Sequence, residues 1–320
     1  MKQLDYLDDR VAESMAYLSY YFDHAMEGAT SPYLATAISA LRDVALGGKH
    51  LRARLVHIAA GEATGPERQA AVIFGAAVDM LHASFLIHDD IIDEDPLRRG
   101  IPAVHHAVTE KTGSPRVGNA MGILTGDLGL MVTYQLLSAS PLDDSLVRRA
   151  TGMVAGYAAQ TVSGELLDVS HLVNENIDID SVRLSNHLKT SLYSFTAPLH
   201  LGSVAARRDN PDTLSAMSAV ADPLGRAYQA ADDIAGAVAP AEVTGKIQGG
   251  DLVAGRKTLL TMRLCDLSLD EAVGQVTAEG DAWLAKARGA VASPHLPEVT
   301  RAGLHDTIDR VERMLHAHRR

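Results

Sequence analysis

The 320-residue sequence has almost no cysteine, no surplus of basic residues and no long uninterrupted apolar run. Cys265 is the only cysteine, which excludes an intrachain disulfide and a zinc site built from thiolates. The formal net charge of -11 argues against general binding of nucleic acid or anionic membranes, because both need a basic protein surface. A small anionic substrate remains compatible with this charge, since bound cations can hold it.

The apolar stretches are too interrupted to predict a membrane span. The most apolar run, residues 71–88, contains Asp79 and two histidines, whereas a spanning helix needs about 20 predominantly apolar residues. The N-terminal sequence MKQLDYLDDR is acidic and lacks the apolar segment of a signal peptide. We therefore expect a soluble, cytoplasmic protein.

Apolar residues recur at helical spacing along most of the chain, and the alternating pattern of a strand is scarce. In residues 31–46, Ser31 suits the N-cap, Pro32 suits the first helical position, and Leu34 and Ile38 lie on one face. Further helices are predicted at 67–93, 117–139, 143–168, 179–206, 212–237, 257–264, 269–291 and 298–318. Because no linker or low-complexity tract interrupts this pattern, we predict one all-α domain over residues 1–320.

Two pairs of adjacent aspartates stand at the ends of two apolar helical stretches. Asp89 and Asp93 are one helical turn apart, and Asp90 points about 100° away from Asp89. Like charges one turn apart destabilise a bare helix, and hard carboxylate oxygens suit Mg²⁺. Asp232 and Asp233 form the second pair. Facing each other in a bundle, the pairs can hold two or three Mg²⁺ ions; an acidic helix end in solvent is the alternative for either pair alone.

Basic residues accompany the acidic pairs. In GGKHLRAR at 47–54, Lys49 and Arg52 are three residues apart, which predicts one helix face that binds a diphosphate without metal. Arg98 and Arg99 follow the first acidic pair, and guanidinium groups bind phosphate oxygens in bidentate fashion. His82 stands about two turns before Asp89 and is a further candidate donor. Taken alone, His82 is equally compatible with a core histidine.

These motifs, in this order, resemble the trans-polyprenyl diphosphate synthase family, which includes farnesyl and geranylgeranyl diphosphate synthases. The matching motifs are GGKxLR at 47–52, HxxxxxHDDxxDxxxxRRG at 82–100, GD at 126–127, GExxD at 164–168, KT at 189–190, YQxxDD at 228–233 and TGKxxGxDLxxG at 244–255. The resemblance implies an isoprenoid-synthase-type helical bundle around a deep central cavity. It also implies Mg²⁺ as cofactor and, usually, a homodimer.

The resemblance further implies which residues meet each substrate. Isopentenyl diphosphate would contact Lys49, Arg52, His82 and Arg99. The allylic diphosphate would contact Arg98, Lys189, Thr190, Gln229 and Lys246, with Arg256 as a further substrate-binding residue. The catalytic set would be Asp89, Asp93, Asp232 and Lys189, and Asp90 and Asp233 would join the metal ligands. The implied reaction is a 1'-4 head-to-tail condensation, in which diphosphate leaves, an allylic cation develops, the isopentenyl alkene attacks and a proton is lost.

Several positions depart from the family pattern. Gly236 stands where many members have a third aspartate, His50 replaces the usual arginine, and Glu165 replaces the usual glutamine. The remaining departures are Ala53, Ser191, residues 239–241 and Arg256. We expect these differences to affect catalytic rate and the choice of allylic substrate more than the fold.

Ser84 and Phe85 stand about one helical turn before Asp89 and are predicted to line the cavity that holds the growing chain. Phe85 would block part of that space, and the small Ser84 would leave room for the growing chain to pass beside the ring. We therefore predict the C20 product geranylgeranyl diphosphate, with the C15 product farnesyl diphosphate next. Ordinary core packing is the alternative interpretation of Phe85.

Other functions fit parts of this sequence. A class I terpene cyclase ionises one substrate with the same metals, but it has no use for a site that binds isopentenyl diphosphate. A non-catalytic or regulatory subunit of a heteromeric synthase is compatible with the altered second motif. A plain acidic helical bundle without a site is the remaining alternative.

Overall fold

The computed structural model of the protein describes residue 4 and residues 6–174, 176–239 and 255–317. Within this part of the chain the helices are α1 (Tyr6–Glu27), α2 (Pro32–Leu46), α3 (Leu51–Ala60), α4 (Gly65–Ile92), α5 (Val104–Thr112), α6 (Pro115–Ser138), α7 (Asp144–Ser170), α8 (Ile179–Asn186), a π-helix (His187–Thr196), α9 (Ala197–Ala205), α10 (Pro211–Val238), α11 (Leu259–Arg263), α12 (Leu269–Val291) and α13 (Glu298–His316). A short antiparallel hairpin pairs β1 (Leu97–Arg98) with β2 (Ile101–Pro102). The prediction of an all-α fold is confirmed.

The predicted helices begin and end within a few residues of the observed ones because their capping residues act locally. Ser31 accepts a hydrogen bond from the Leu34 amide at the start of α2. Ser268 and Glu271 form a capping box at the start of α12. The helices α1 and α5, most of α3 and the hairpin lie outside the predicted elements, and a π-helix interrupts the predicted helix at 179–206.

The core consists of two apolar clusters that meet at α3 and α9. One contains Leu224, Val276 and Ile308 from α10, α12 and α13. The other is built on α4 and contains Phe74 from this helix and Phe22 from α1. Because α4 is buried along most of its length, its C-terminal end is held in a fixed place.

Two of the described helices, α4 and α6, are long and apolar enough to cross a membrane by length and composition. The most apolar window of α4 is 78% buried inside the fold, as expected of a core helix, and that of α6 is 44% buried. A larger share of the apolar window is therefore exposed in α6 than in α4.

Glycines let α6 lie unusually close to α4. A Cβ atom on Gly122 would lie 2.7 Å from Ile91, and one on Gly126 would lie 2.3 Å from His88. The carbonyl of Gly126 also accepts a hydrogen bond from Ser84 Oγ at 2.5 Å. These contacts fix the C-terminal half of α4, which carries the first acidic pair.

Candidate active site

The first acidic pair lies at the end of α4, where Asp89 and Asp90 occupy the last turn and Asp93 is the C-cap. The hairpin returns the chain so that Arg98 Nε donates to Asp90 Oδ1 at 2.6 Å, and Arg98 Nη2 lies 3.3 Å from Asp89 Oδ2. Asp90 is only 2% exposed. The two adjacent aspartates thus differ, because Asp90 is buried against Arg98 while Asp89 is shared between Arg98 and a second cation.

That second cation is Lys189, whose Nζ lies 3.2 Å from Asp89 Oδ1, 2.9 Å from Glu165 Oε2 and 3.0 Å from Asp168 Oδ2. Burial alone would lower the pKa of the Lys189 ammonium. The nearby carboxylates outweigh burial, Asp89 most of all, so this pKa lies well above the usual value for lysine. Lys189 is therefore fully cationic.

The π-helix brings Lys189 to this position. A Cβ atom on Gly164 of α7 would lie 2.3 Å from the Lys189 backbone nitrogen, so glycine is needed there for the close approach of the two helices. Thr190 is the next residue of the π-helix and is partly buried. Wide π-helical turns within α-helices are frequent at functional sites.

Glu165 and Asp168 are outside the predicted site residues, although the spacing in GExxD places both on one face of α7. Burial raises the pKa of Glu165; Lys189 opposes this effect and Asp89 adds to it. Glu165 therefore brings a further acidic group to the Lys189 ammonium at a position where glutamine is usual.

The second acidic pair on α10 also divides into two kinds of residue. Asp233 is buried, and it accepts hydrogen bonds from Gln229 Nε2 at 2.7 Å and from the Leu259 amide at 2.9 Å. Asp232 is exposed. Asp233 thus fixes Gln229 and the start of α11, and Asp232 is the member of the pair that faces outward.

The two acidic pairs lie at the same end of the bundle. Arg256 Nη2 lies 3.1 Å from Asp93 Oδ2 and 3.6 Å from Asp95 Oδ1. Leu259, which bonds Asp233, follows Arg256 by three residues, a length of chain that spans at most about 11 Å. The predicted Lys246 and most of its motif at 244–255 lie outside the described residues.

The four residues predicted to bind isopentenyl diphosphate gather near the start of α3. The prediction that Lys49 and Arg52 share one helix face is wrong, because α3 begins at Leu51 and Lys49 lies in the preceding turn. Arg99 Nη1 donates to the Gly47 carbonyl. Gly48 has φ +110°, and a Cβ atom there would lie 2.7 Å from the Arg99 guanidinium, so this turn requires glycine.

Tyr193 of the π-helix connects Arg52 with His82. Arg52 Nη2 donates to Tyr193 Oη at 3.0 Å, and Tyr193 Oη lies 3.2 Å from His82 Nδ1. Burial, reinforced by the charges of Arg52 and Arg99, lowers the pKa of His82 well below the usual value, so its imidazole is neutral. Sequence reasoning missed Tyr193, for which the only signal is its place four residues after Lys189.

Ser84 and Phe85 lie in different surroundings. The Phe85 ring packs edge to face against Tyr193, with the ring centroids 5.3 Å apart at 85°. Ser84 is fully buried, and its bond to the Gly126 carbonyl turns it toward α6. Of the two residues, Phe85 is the one in contact with the ring that joins Arg52 and His82.

The donor chemistry of the acidic helix ends fits a magnesium ion. Among the described residues, no three His, Cys, Asp or Glu side chains are already grouped as a metal site. The carboxylates are paired with Arg98, Lys189 and Arg256, which neutralise the same charge that a divalent cation would. Carboxylate oxygens at the edge of a bundle suit Mg²⁺.

The sequence is similar to that of known proteins over most of its length. Residues 34–282 match the family model described as polyprenyl synthetase. A geranylgeranyl diphosphate synthase of Methanosarcina mazei is 28% identical over 247 residues, which cover 77% of this chain and 71% of that protein. A geranylfarnesyl diphosphate synthase of Aeropyrum pernix is 31% identical over 230 residues, which cover 70% of this chain and 68% of that protein.

The fold also matches that of solved structures. A geranylgeranyl pyrophosphate synthase from Corynebacterium glutamicum, crystallised with isoprenyl diphosphate and magnesium, superimposes with a TM-score of 0.82 at 22% identity, over 97% of this chain and 98% of that one. The family match covers most of the sequence, and the fold match covers nearly all of it. The chain belongs to the polyprenyl synthetase family of short-chain trans-prenyl diphosphate synthases.

Proposed function

We propose that this chain condenses isopentenyl diphosphate head to tail with an allylic diphosphate and releases a short all-trans polyprenyl diphosphate. The chain is a prenyltransferase by family. One observation supports the assignment of its active site: the ends of α4 and α10 lie close together. Arg256 contacts Asp93 at the end of α4, and the Leu259 amide donates to Asp233 on α10. The alternative functions, a terpene cyclase or a non-catalytic subunit, are not favoured by the relatives.

Asp89, Asp93 and Asp232 are the residues that would hold Mg²⁺, in a site of two or three ions. When bound, the metal supplies positive charge that stabilises the diphosphate as it leaves. The sequence also predicts Asp90 and Asp233 as ligands. We leave both out of the proposed set, because each is buried and hydrogen-bonded to protein donors.

The cations around the first acidic pair would bind the allylic diphosphate. The proposed contacts are Arg98, Lys189, Thr190, Gln229, Lys246 and Arg256. Lys189 and Arg98 are held in place before any substrate arrives, because carboxylates already orient them. Preorganised charges of this kind stabilise a leaving group without reorganisation during the reaction.

Lys49, Arg52, Arg99 and His82 would bind isopentenyl diphosphate. The arginines provide charge, and the neutral His82 provides an uncharged polar contact. Tyr193 and Phe85 would border the hydrocarbon part of the substrates and exclude water from the developing cation. The released diphosphate would take the proton, so a separate carboxylate base is unnecessary.

We propose the C20 product geranylgeranyl diphosphate, with the C15 product as the next candidate. The support is Phe85, which lies one helical turn before Asp89 on α4 and contacts Tyr193. A single aromatic side chain at this level would stop the growing chain later than two would.

We also propose that the chain is a cytoplasmic homodimer. Neighbouring helices α6 and α7 expose large apolar side chains at helical spacing, with Leu124 and Met131 on α6 and Val162, Leu166 and Val169 on α7. An apolar face of this extent on a soluble protein is typical of an interface. A second copy of the chain would cover it.

The test is to incubate the purified chain with Mg²⁺, isopentenyl diphosphate and each allylic primer in turn, and to measure product length. Condensation with C20 as the main product is expected. Asp89→Asn should abolish turnover, while Asp144→Asn, in the first turn of α7, serves as a matched acidic control. Consumption of a primer without isopentenyl diphosphate would favour a cyclase, and no consumption would favour a non-catalytic subunit.

A further inference from the structure

We propose that Asp79 and His50 form a clamp that holds the turn at 47–50 and thereby sets the affinity for isopentenyl diphosphate. This inference rests on the proposed function, because it concerns the site of one of its two substrates. Both are positioning residues, since they act through Lys49 and Arg52 rather than on the substrate.

Asp79 is a charged residue in the middle of the apolar helix α4, and it is only 4% exposed. Its Oδ2 accepts a hydrogen bond from His50 Nδ1 at 2.7 Å, and its Oδ1 accepts one from the Ala53 amide at 3.2 Å. A buried carboxylate is unfavourable unless protein donors bind it. Both oxygens of Asp79 are directed at one target, the start of α3.

The start of α3 needs this help because its own N-cap residue does not provide it. His50 occupies the N-cap position, and its side chain makes no cap hydrogen bond. Asp79 replaces the missing cap from another helix by binding the Ala53 amide. His50 also has φ 48° and ψ 41°, a left-handed conformation that residues other than glycine rarely adopt. Its bond to Asp79 therefore stabilises an unfavourable backbone shape.

The clamped turn carries the proposed diphosphate contacts. Lys49 precedes His50, Arg52 follows in the first turn of α3, and Arg99 binds the Gly47 carbonyl. Asp79 and His82 are three residues apart and share a face of α4. One turn of α4 thus fixes both His82 and the start of α3, so the clamp sets the spacing between the cations and the imidazole.

The clamp is remote from the site of the allylic diphosphate. Asp79 and Asp89 are ten residues apart on α4, which is about 15 Å along the helix. Neither Asp79 nor His50 has a hydrogen bond or ion pair to the cluster of Asp89 and Lys189. Loss of the clamp should therefore weaken the binding of isopentenyl diphosphate and leave the binding of the allylic diphosphate unchanged.

Two variants test this selectivity. His50→Gly removes the imidazole and tolerates a positive φ, and Asp79→Asn keeps the shape but leaves one acceptor oxygen. Each should raise KM for isopentenyl diphosphate about tenfold, the effect of one lost hydrogen bond to a charged group. KM for the allylic primer and kcat should stay within about twofold. The double variant should be no worse than the stronger single one.

His50→Asn is the conservative variant, because asparagine tolerates the left-handed region and keeps a donor for Asp79. It should restore most of the affinity lost in His50→Gly. Ser14→Ala is the control for a purely structural effect, since it removes the buried hydrogen bond between Ser14 Oγ and His57 Nε2 at 2.9 Å. It should lower Tm without changing either KM.

The clamp proposal is overturned if KM for isopentenyl diphosphate and KM for the allylic primer change equally. It is also overturned if both KM values are unchanged in folded His50→Gly and Asp79→Asn. Circular dichroism at the assay temperature establishes that the variants are folded. If the wild-type chain shows no condensation at all, the proposed function fails instead. Calorimetric binding of isopentenyl diphosphate to the wild-type chain and to His50→Gly then decides the clamp, and equal affinities count against it.

Discussion

Arg256 Nη2 lies 3.1 Å from Asp93 Oδ2, and this ion pair joins the chain after α10 to the end of α4. The same Nη2 also donates to the Asp93 carbonyl at 3.2 Å. The two acidic pairs are far apart in sequence and share one end of the bundle, because Arg256 contacts Asp93 and the Leu259 amide, three residues later, donates to Asp233.

Arg256→Gln should raise KM for the allylic diphosphate by about tenfold to a hundredfold, because a charged hydrogen-bond donor to phosphate is lost. KM for isopentenyl diphosphate should change little. Steady-state kinetics with each substrate varied in turn measures both values. Arg263→Gln is a suitable control, since Arg263 binds Glu279 and the Leu259 carbonyl rather than Asp93. Equal KM values in wild type and Arg256→Gln would exclude Arg256 from the substrate site.

Lys189→Gln should lower kcat by roughly a hundredfold or more, as expected when a preorganised charge is removed from a leaving group. It should also lower Tm in the absence of Mg²⁺, because Asp89, Glu165 and Asp168 then face each other without their shared cation. Added Mg²⁺ should raise the Tm of this variant by more than it raises the Tm of the wild type. Scanning calorimetry with and without Mg²⁺ checks this, and a variant that keeps full activity refutes the assignment of Lys189.

Phe85→Ala should lengthen the product by one or more five-carbon units, because it removes the ring that packs on Tyr193. Chromatography of the dephosphorylated products gives the chain length. Phe74→Leu is the control, as Phe74 is a buried aromatic residue of the same helix, about 16 Å further from the acidic end. An unchanged product profile in Phe85→Ala would exclude Phe85 as the residue that limits chain length.

Leu124→Arg combined with Leu166→Arg should convert the proposed dimer to a monomer. These side chains are 61% and 68% exposed on the apolar face of α6 and α7, and burying arginines against that face is unfavourable. Light scattering coupled to size-exclusion chromatography measures the mass. Tyr33→Arg, at a 74% exposed position on α2, should leave the mass unchanged. A wild-type chain that already elutes as a monomer contradicts the dimer.

The free energy of unfolding should fall as the pH falls from about 6.5 to about 4. Burial lowers the pKa of His57 from 6.5 to about 4, so in this window the unfolded chain binds a proton that the folded chain excludes. The contribution of the neutral His57 to the free energy of unfolding is fully present above pH 6.5 and amounts to about 3 kcal/mol at its largest. Urea unfolding at several pH values gives the unfolding free energy as a function of pH. This free energy should change less with pH in His57→Gln than in the wild type. Equal pH dependence in His57→Gln and the wild type would contradict this role of His57.

The sequence alone determined the helical fold and the family of this protein. Helix periodicity, caps such as Ser31 and short motifs such as HDDIID and YQAADD depend on neighbours a few residues apart, so they are visible in the chain. The placement of α2, α4, α6, α7, α10, α12 and α13 followed from these local rules, and so did the candidate aspartates.

Only the tertiary structure decided which of those aspartates are buried and which residues complete the site. Asp90 and Asp233 look the same as Asp89 and Asp232 in sequence, and they differ because Arg98 and the start of α11 come to lie on them. The bond between Arg52 and Tyr193 spans 141 positions. Such partners meet only when distant helices pack, and no local pattern encodes that packing.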